Sequence, residues 1–176
     1  QYGVIGASNV FMSMIQTESP YYQGSANTQA PAPFDQAISF LGDPSFNSCG
    51  SATTSCNNAW ALVVENSAGI YINGAGLYSW FQNYDETCVG TANCQSKMTY
   101  IYNSASVWLN HFITIGAVEM ISPAVSNHHN EIVLAKSNLQ GNQYPWWSVV
   151  AVYLDSVDPI NVADTPSPVK IGWVAF

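Results

Sequence analysis

The chain has no arginine, and its 176 residues include only three lysines, Lys97, Lys136 and Lys170. Against eleven acids this leaves a formal net charge of −8. A chain so poor in cations offers phosphate groups almost nothing to bind, which excludes nucleic acid and anionic membrane surfaces as expected partners. Charge of either sign is scarce, at 8% of residues. The surface must therefore be built from Asn, Gln, Ser, Thr and Tyr, which suits a neutral, hydroxyl-rich ligand such as a carbohydrate and equally suits acidic secreted proteins of other function. No apolar run approaches the roughly 18 residues of a membrane span, and the first residue is Gln1, not Met. A mature secreted protein, or a piece cut from a longer precursor, is expected to begin this way. No Asn-x-Ser/Thr acceptor site occurs, and helical periodicity is weak throughout.

What is present is hydrophobic mass and cysteine. A hydrophobic content of 48% is ample for one large domain or for part of a larger one. "GSANTQAPAPFDQ" and "VDPINVADTPSPVK" interrupt the apolar runs with proline and glycine, but both read as loops and neither as a boundary, so residues 1–176 are taken as one segment. Cys49 and Cys56 bracket "GSATTS", and Cys88 and Cys94 bracket "VGTAN". Two pairs in separate polar loops predict two short-range disulfides and an oxidising, extracellular or cell-wall location. The alternatives are free thiols or a zinc site, for which the sequence offers no nearby histidine cluster.

Short alternating or continuous apolar runs recur along the chain, among them "NVFMSMIQT", "AWALVVEN", "SVWLNHFITIGAVEMIS" and "WWSVVAVYL". They predict an all-β fold. Two stretches repeat: "VVENSAGIYING" from Val63 aligns with "YIYNSASVWLNH" from Tyr100, matching Asn66 to Asn103, Ser67 to Ser104 and Asn73 to Asn110. Each reads strand, Asn-Ser-Ala turn, strand, Asn. Repeats of this size predict stacked units in a parallel β-helix, with Asn side chains laddering between coils, and with "GAGLYSWFQNYDETCVGTANCQSK" as a long excursion. A β-sandwich with an accidental similarity is the alternative.

The segments "SNVFMSMIQTESPYYQG", "GAGLYSWFQNYDETC", "NCQ" and "GAVEMISP" resemble the C-terminal part of the fungal exo-β-1,3-glucanases of glycoside hydrolase family 55. The resemblance runs from about Ile5 to about Pro123. It implies a right-handed, pectate-lyase-like parallel β-helix with long disulfide-stapled loops, normally one of two side by side in a much longer chain. It also implies exo-hydrolysis of β-1,3-glucan with inversion and without a metal or other cofactor. In the family the general acid is a glutamate in a Gln-Thr-Glu segment with a tyrosine three residues later. Those positions are Glu18 and Tyr21 here, with Gln16 also facing the sugar. Crowding of Glu18 by Tyr21 and Tyr22 is expected to desolvate its carboxyl and favour the protonated form, while Pro20 fixes the backbone between them. On residues alone, Glu18 equally reads as the polar end of a strand.

Inversion also requires a group that activates water, roughly 6.5 to 9.5 Å from the acid. Glu65, Asp85, Glu86 and Glu119 are the other acids of the repeat region, and none is marked for that role. By the resemblance, the water-positioning groups and much of the sugar pocket precede this segment, so the isolated chain is expected to be inactive. Tyr78, Trp80 and Tyr84 read either as the aromatic wall of a sugar cleft or as core; Trp146 and Trp147 read as core, capping the last coil. His128 and His129 read as part of a polar loop. Three functions follow: the acid-bearing portion of a secreted β-1,3-glucan hydrolase, a non-catalytic glucan-binding module, or a self-assembling β-solenoid. The strands ahead of Glu18 carry neither charge nor proline, so this edge is expected to pair with the missing N-terminal portion or with another copy.

Overall fold

The computed structural model describes residues 1–21, 60–82, 84–124, 132–140 and 144–155. They are nearly all β. β1 (Tyr2–Ile5), β3 (Leu62–Glu65), β5 (Gln95–Tyr102), β7 (Ala117–Ala124) and β8 (Val133–Leu134) form one sheet in that order. β2 (Ser8–Glu18), β4 (Ala68–Tyr78), β6 (Ala105–Ile115), β10 (Tyr144–Asp155) and β9 (Leu139–Gln140) form the second. A short helix, α1 (Thr87–Gly90), lies between β4 and β5, and a 3-10 turn follows β8.

The sheets are built from a repeated pair of strands. β1–β2, β3–β4 and β5–β6 are laid parallel, each on the next, in continuous register: Val4 opposite Val64, Val64 opposite Ile101, Phe11 opposite Tyr71, Tyr71 opposite Trp108. The register includes the pairing of Asn66 with Asn103 read from the sequence, and Asn103 Nδ2 donates to Asn66 Oδ1 at 2.6 Å. It also includes a first repeat, residues 2–18, that the sequence reading did not align. There Gly6 stands where Asn66 and Asn103 stand, and Ala7 where Ser67 and Ser104 stand.

Each repeat turns at left-handed residues. Gly6, Asn66 and Asn103 share one such corner, Asn9, Gly69 and Ser106 the next, and Met14, Gly74 and His111 a third, all with φ between 43° and 79°. Asn tolerates this region better than most side chains, which explains the Asn-Ser-Ala signal. The serine that follows stitches the corner together. Ser67 Oγ accepts from the Ala7 amide and donates toward the carbonyls of Val4 and Glu65, while the Ser67 amide donates to Ser104 Oγ at 3.1 Å.

Strand alternation sends Ile70, Ile72, Ala75 and Leu77 inward, and in the next repeat Val107, Leu109 and Phe112. With Leu62, Val64, Met98, Ile101 and Met120 of the other sheet they form one buried core between the sheets. Each such aliphatic side chain contributes about 1.5 to 3 kcal/mol on burial.

Two expectations are corrected. The stretch Gly74–Tyr78 is not loop but the second half of β4, because the left-handed Gly74 bends the strand without ending its pairing; the excursion shortens to residues 79–94. Nor are the strands parallel throughout. β10 runs antiparallel on β6, and β8 antiparallel on β7. The last described strands thus close the stack by reversing direction, and the Trp146–Trp147 segment belongs to that closing strand.

Candidate functional site

Glu18 is the last residue of β2, the outermost strand of its sheet among the described residues. Gln16 and Glu18 stand two apart and share the outward face. Both are exposed. Their partners on β4 are Gly76 and Tyr78. Gly76 is small for a reason: a Cβ there would meet Tyr78 Oη at 2.2 Å. The Tyr78 side chain therefore folds back along its own strand over Gly76, into the row that Gln16 occupies.

The segment 79–94 packs against this end of the sheet. Its walls are the Cys88–Cys94 disulfide, Val89 and Ile115, with Tyr78, Trp80 and Trp147 packed on them. The Tyr78 ring lies 6.1 Å from that of Trp80 and meets Trp147 edge-on at 5.6 Å. Gln82 and Asp85 exchange backbone hydrogen bonds around a two-residue turn, and Gln82 Nε2 donates to the carbonyls of Asn93 and Cys94 at 2.8 and 3.0 Å. The Asp85 carboxylate accepts from the Thr87 hydroxyl and amide, which holds its pKa below the ordinary value.

Beyond Glu18 the chain is tied to this segment. The Ser19 amide donates to the Tyr78 carbonyl at 3.0 Å, the Tyr21 ring packs on Phe81 with centroids 4.3 Å apart, and the Tyr84 amide donates to the Tyr21 carbonyl at 2.8 Å. The Tyr84 side chain projects into solvent, 67% exposed.

Of the residues singled out in the sequence, Gln16, Glu18, Tyr21, Tyr78 and Tyr84 thus gather at one end of the second sheet. Trp80 is half-buried against the disulfide cluster instead. The expected crowding of Glu18 is not supplied by the described residues, since Tyr21 turns its ring to Phe81 and Tyr22 lies outside them. Cys88 and Cys94 are paired as expected; Cys49, Cys56, His128 and His129 lie outside the described residues. Among the described residues no group of three or more His, Cys, Asp or Glu is arranged to hold a metal ion. Glu119, another of the acids read in the sequence, accepts from Ser122 Oγ and lies 3.9 Å from Lys97 on the other sheet. Gln82 and Trp147 were not foreseen as neighbours of the site.

No protein-family model matches the chain. It is 37% identical over 136 residues to a probable glucan endo-1,3-β-glucosidase of Arthroderma benhamiae, a match covering 73% of this chain and 15% of that protein. It is 32% identical over 136 residues to a glucan 1,3-β-glucosidase of Cochliobolus carbonum, covering 74% and 16%. A non-secreted LysM effector, LysM15, of Penicillium expansum is 36% identical over 141 residues, covering 80% and 8%. The chain thus spans a sixth or less of the length of these relatives.

Proposed function

The chain is a relative of the fungal β-1,3-glucanases, and from that kinship we propose that it is the acid-bearing portion of a β-1,3-glucan hydrolase. Glu18 is the general acid of an inverting, exo-acting reaction, and the two parallel sheets are successive faces of a right-handed β-helix within a larger, secreted protein. Gln16, Tyr21, Tyr78 and Tyr84 line the sugar site from this side, and Trp80 supports it from the disulfide cluster. The observation that carries this reading is the exposed Glu18 carboxylate at the end of an edge strand, sharing its face with Gln16 and paired with Tyr78 on the next strand, in a chain with few charges of any kind.

As general acid, Glu18 delivers its proton to the glycosidic oxygen as the bond to the anomeric carbon breaks. A second carboxylate takes the proton of the attacking water on the opposite face of the ring. That second group belongs to chain that packs beyond β2. The 176-residue chain alone is inactive for the same reason. In the full-length protein, Glu18→Gln is expected to lower turnover of laminarin by a factor of about 10² to 10⁴ while leaving binding to insoluble glucan in place. Retention of most activity removes Glu18 from the mechanism.

The similarity to a LysM effector supports a second reading, a non-catalytic module that keeps the fold and uses Tyr78 and Tyr84 for glucan binding. In that case Glu18→Gln changes nothing and the Tyr78 and Tyr84 side chains carry affinity for insoluble glucan. A self-assembling structural solenoid would show neither activity nor glucan binding.

A further inference from the structure

Tyr84 has φ +66°, a left-handed conformation that an aromatic side chain rarely adopts. It occupies the second position of the two-residue turn between Gln82 and Asp85, where a positive φ ordinarily selects Gly or Asn. A backbone held this way is strained and persists only where its surroundings impose it. Those surroundings are identifiable. On one side Gln82 and Asp85 close the turn through paired backbone bonds, and the Gln82 carboxamide is anchored by two carbonyls at Asn93 and Cys94, next to the disulfide. On the other side the Tyr84 amide is spent on the carbonyl of Tyr21, and Phe81, next to Gln82, carries the Tyr21 ring.

Resting on the reading of Glu18 and Tyr21 as the sugar site, we propose that Gln82 is a positioning residue for that site: its carboxamide holds the turn in which Tyr84 is left-handed, and the turn in turn holds Tyr21 three residues beyond Glu18. The geometry runs in one direction. After Glu18 the chain leaves the sheet, and among the described residues the contacts that fix it are the Ser19 amide to the Tyr78 carbonyl and the two contacts of Tyr21 with Phe81 and Tyr84. Two of these three depend on the turn. A Gln at 82 suits the task because both its amide protons point at carbonyl acceptors. A carboxylate there would face the same two carbonyls with no proton to share, and an aliphatic side chain would leave both carbonyls without this partner.

The test joins amide exchange with a mutant cycle. In the 176-residue chain, Gln82→Leu is expected to speed hydrogen exchange of the Tyr84 amide at least tenfold while the amides of Leu77 and Ile113, in the adjacent strands, exchange as before. This readout does not involve glucan. In the full-length protein Gln82→Leu is expected to lower kcat on laminarin about tenfold or more, and Gln82→Glu to do the same. Tyr84→Gly removes the cost of the left-handed backbone but keeps its amide, so in that background Gln82→Leu is expected to cause little further loss. Unchanged exchange at Tyr84 in Gln82→Leu overturns the proposal, as does a kcat loss that multiplies undiminished in the Tyr84→Gly background. If exchange responds but Glu18→Gln retains full activity, the sugar-site reading fails and the proposal, which needs that site, falls with it; if Glu18→Gln is dead and exchange is unchanged, only the role of Gln82 falls.

Discussion

At the scale of single residues, the fold depends on a few positions where size or a hydroxyl is fixed by close contact. Gly116 combines φ +71° with an approach so tight that a Cβ would meet the Ser79 carbonyl oxygen at 1.9 Å and Cys94 Sγ at 3.0 Å. The tightness has a cause: Cys94 and Gln95 both direct their amides to the Gly116 carbonyl, pulling the segment 79–94 onto the end of β6. Gly116→Ala is therefore expected to destabilise the chain by about 3 kcal/mol or more, read as a drop in the midpoint of denaturant unfolding. Ser67 is the milder counterpart. Its buried hydroxyl joins the first repeat to the second, so Ser67→Ala, which leaves the Ala7 amide without that acceptor, is expected to cost about 1 to 3 kcal/mol. The Asn-Ser-Ala signal was visible in the sequence because Asn66 and Asn103 are both Asn. The first repeat escaped notice because Gly6 reaches the same left-handed corner without any side chain, and Ala7 lacks the hydroxyl that would have marked it.

At the scale of elements, the segment 79–94 fixes the Tyr84 backbone and packs on the Tyr78 ring. The Cys88–Cys94 link closes a short loop, and replacing both cysteines by serine is expected to cost about 2 to 3 kcal/mol. The larger consequence falls on the neighbours, since Trp80 and Tyr78 pack on that sulfur cluster. Near-ultraviolet circular dichroism of the double variant is expected to lose aromatic signal while the β-sheet signal in the far ultraviolet stays. The Asp85 carboxylate also orders this segment through its bonds to Thr87. Its pKa is depressed by those bonds, so its contribution is complete above the ordinary carboxylate range and is lost as pH falls through the lowered value. Exchange of the Thr87 amide is expected to accelerate only at strongly acid pH, and Asp85→Asn to abolish that dependence. Pairing of Cys88 with Cys94 was legible from spacing. What spacing did not reveal was that Gly74–Tyr78 stays in the sheet, because a glycine in an apolar run signals a loop unless one sees that Met14 and His111 occupy the same corner in the adjacent repeats. The reversal of β10 was equally hidden: alternation marks a strand but not its direction.

At the scale of the whole molecule, the two ends of the stack differ. At one end β10 and β8 run antiparallel over β6 and β7, and their reversal of direction interrupts the repeat. At the other, β1 and β2 are the outermost strands, and among the described residues nothing pairs with their far edges. β2 presents Phe11 and Met14 to solvent at 69% and 85% exposure, with no charge before Glu18 and no proline before Pro20 to discourage pairing. Natural edge strands usually carry such safeguards. The continuous register of three repeats shows what would satisfy this edge, namely a further parallel strand with the same left-handed corners. We therefore expect a strand from elsewhere in the full-length protein to pair there, and the same pairing to bring the water-activating group opposite Glu18. The isolated 176-residue chain is expected to associate as concentration rises, and light scattering with electron microscopy will show whether it does so as oligomers or filaments. Phe11→Lys with Ser13→Lys places two like charges on the exposed face of the edge strand, so that a second copy meets repulsion, and is expected to shift the chain toward monomer without unfolding it. A monomer at high concentration, with the amides of β2 already protected from exchange, would mean that the edge is covered by the chain's own residues and that the site at Glu18 is completed from within.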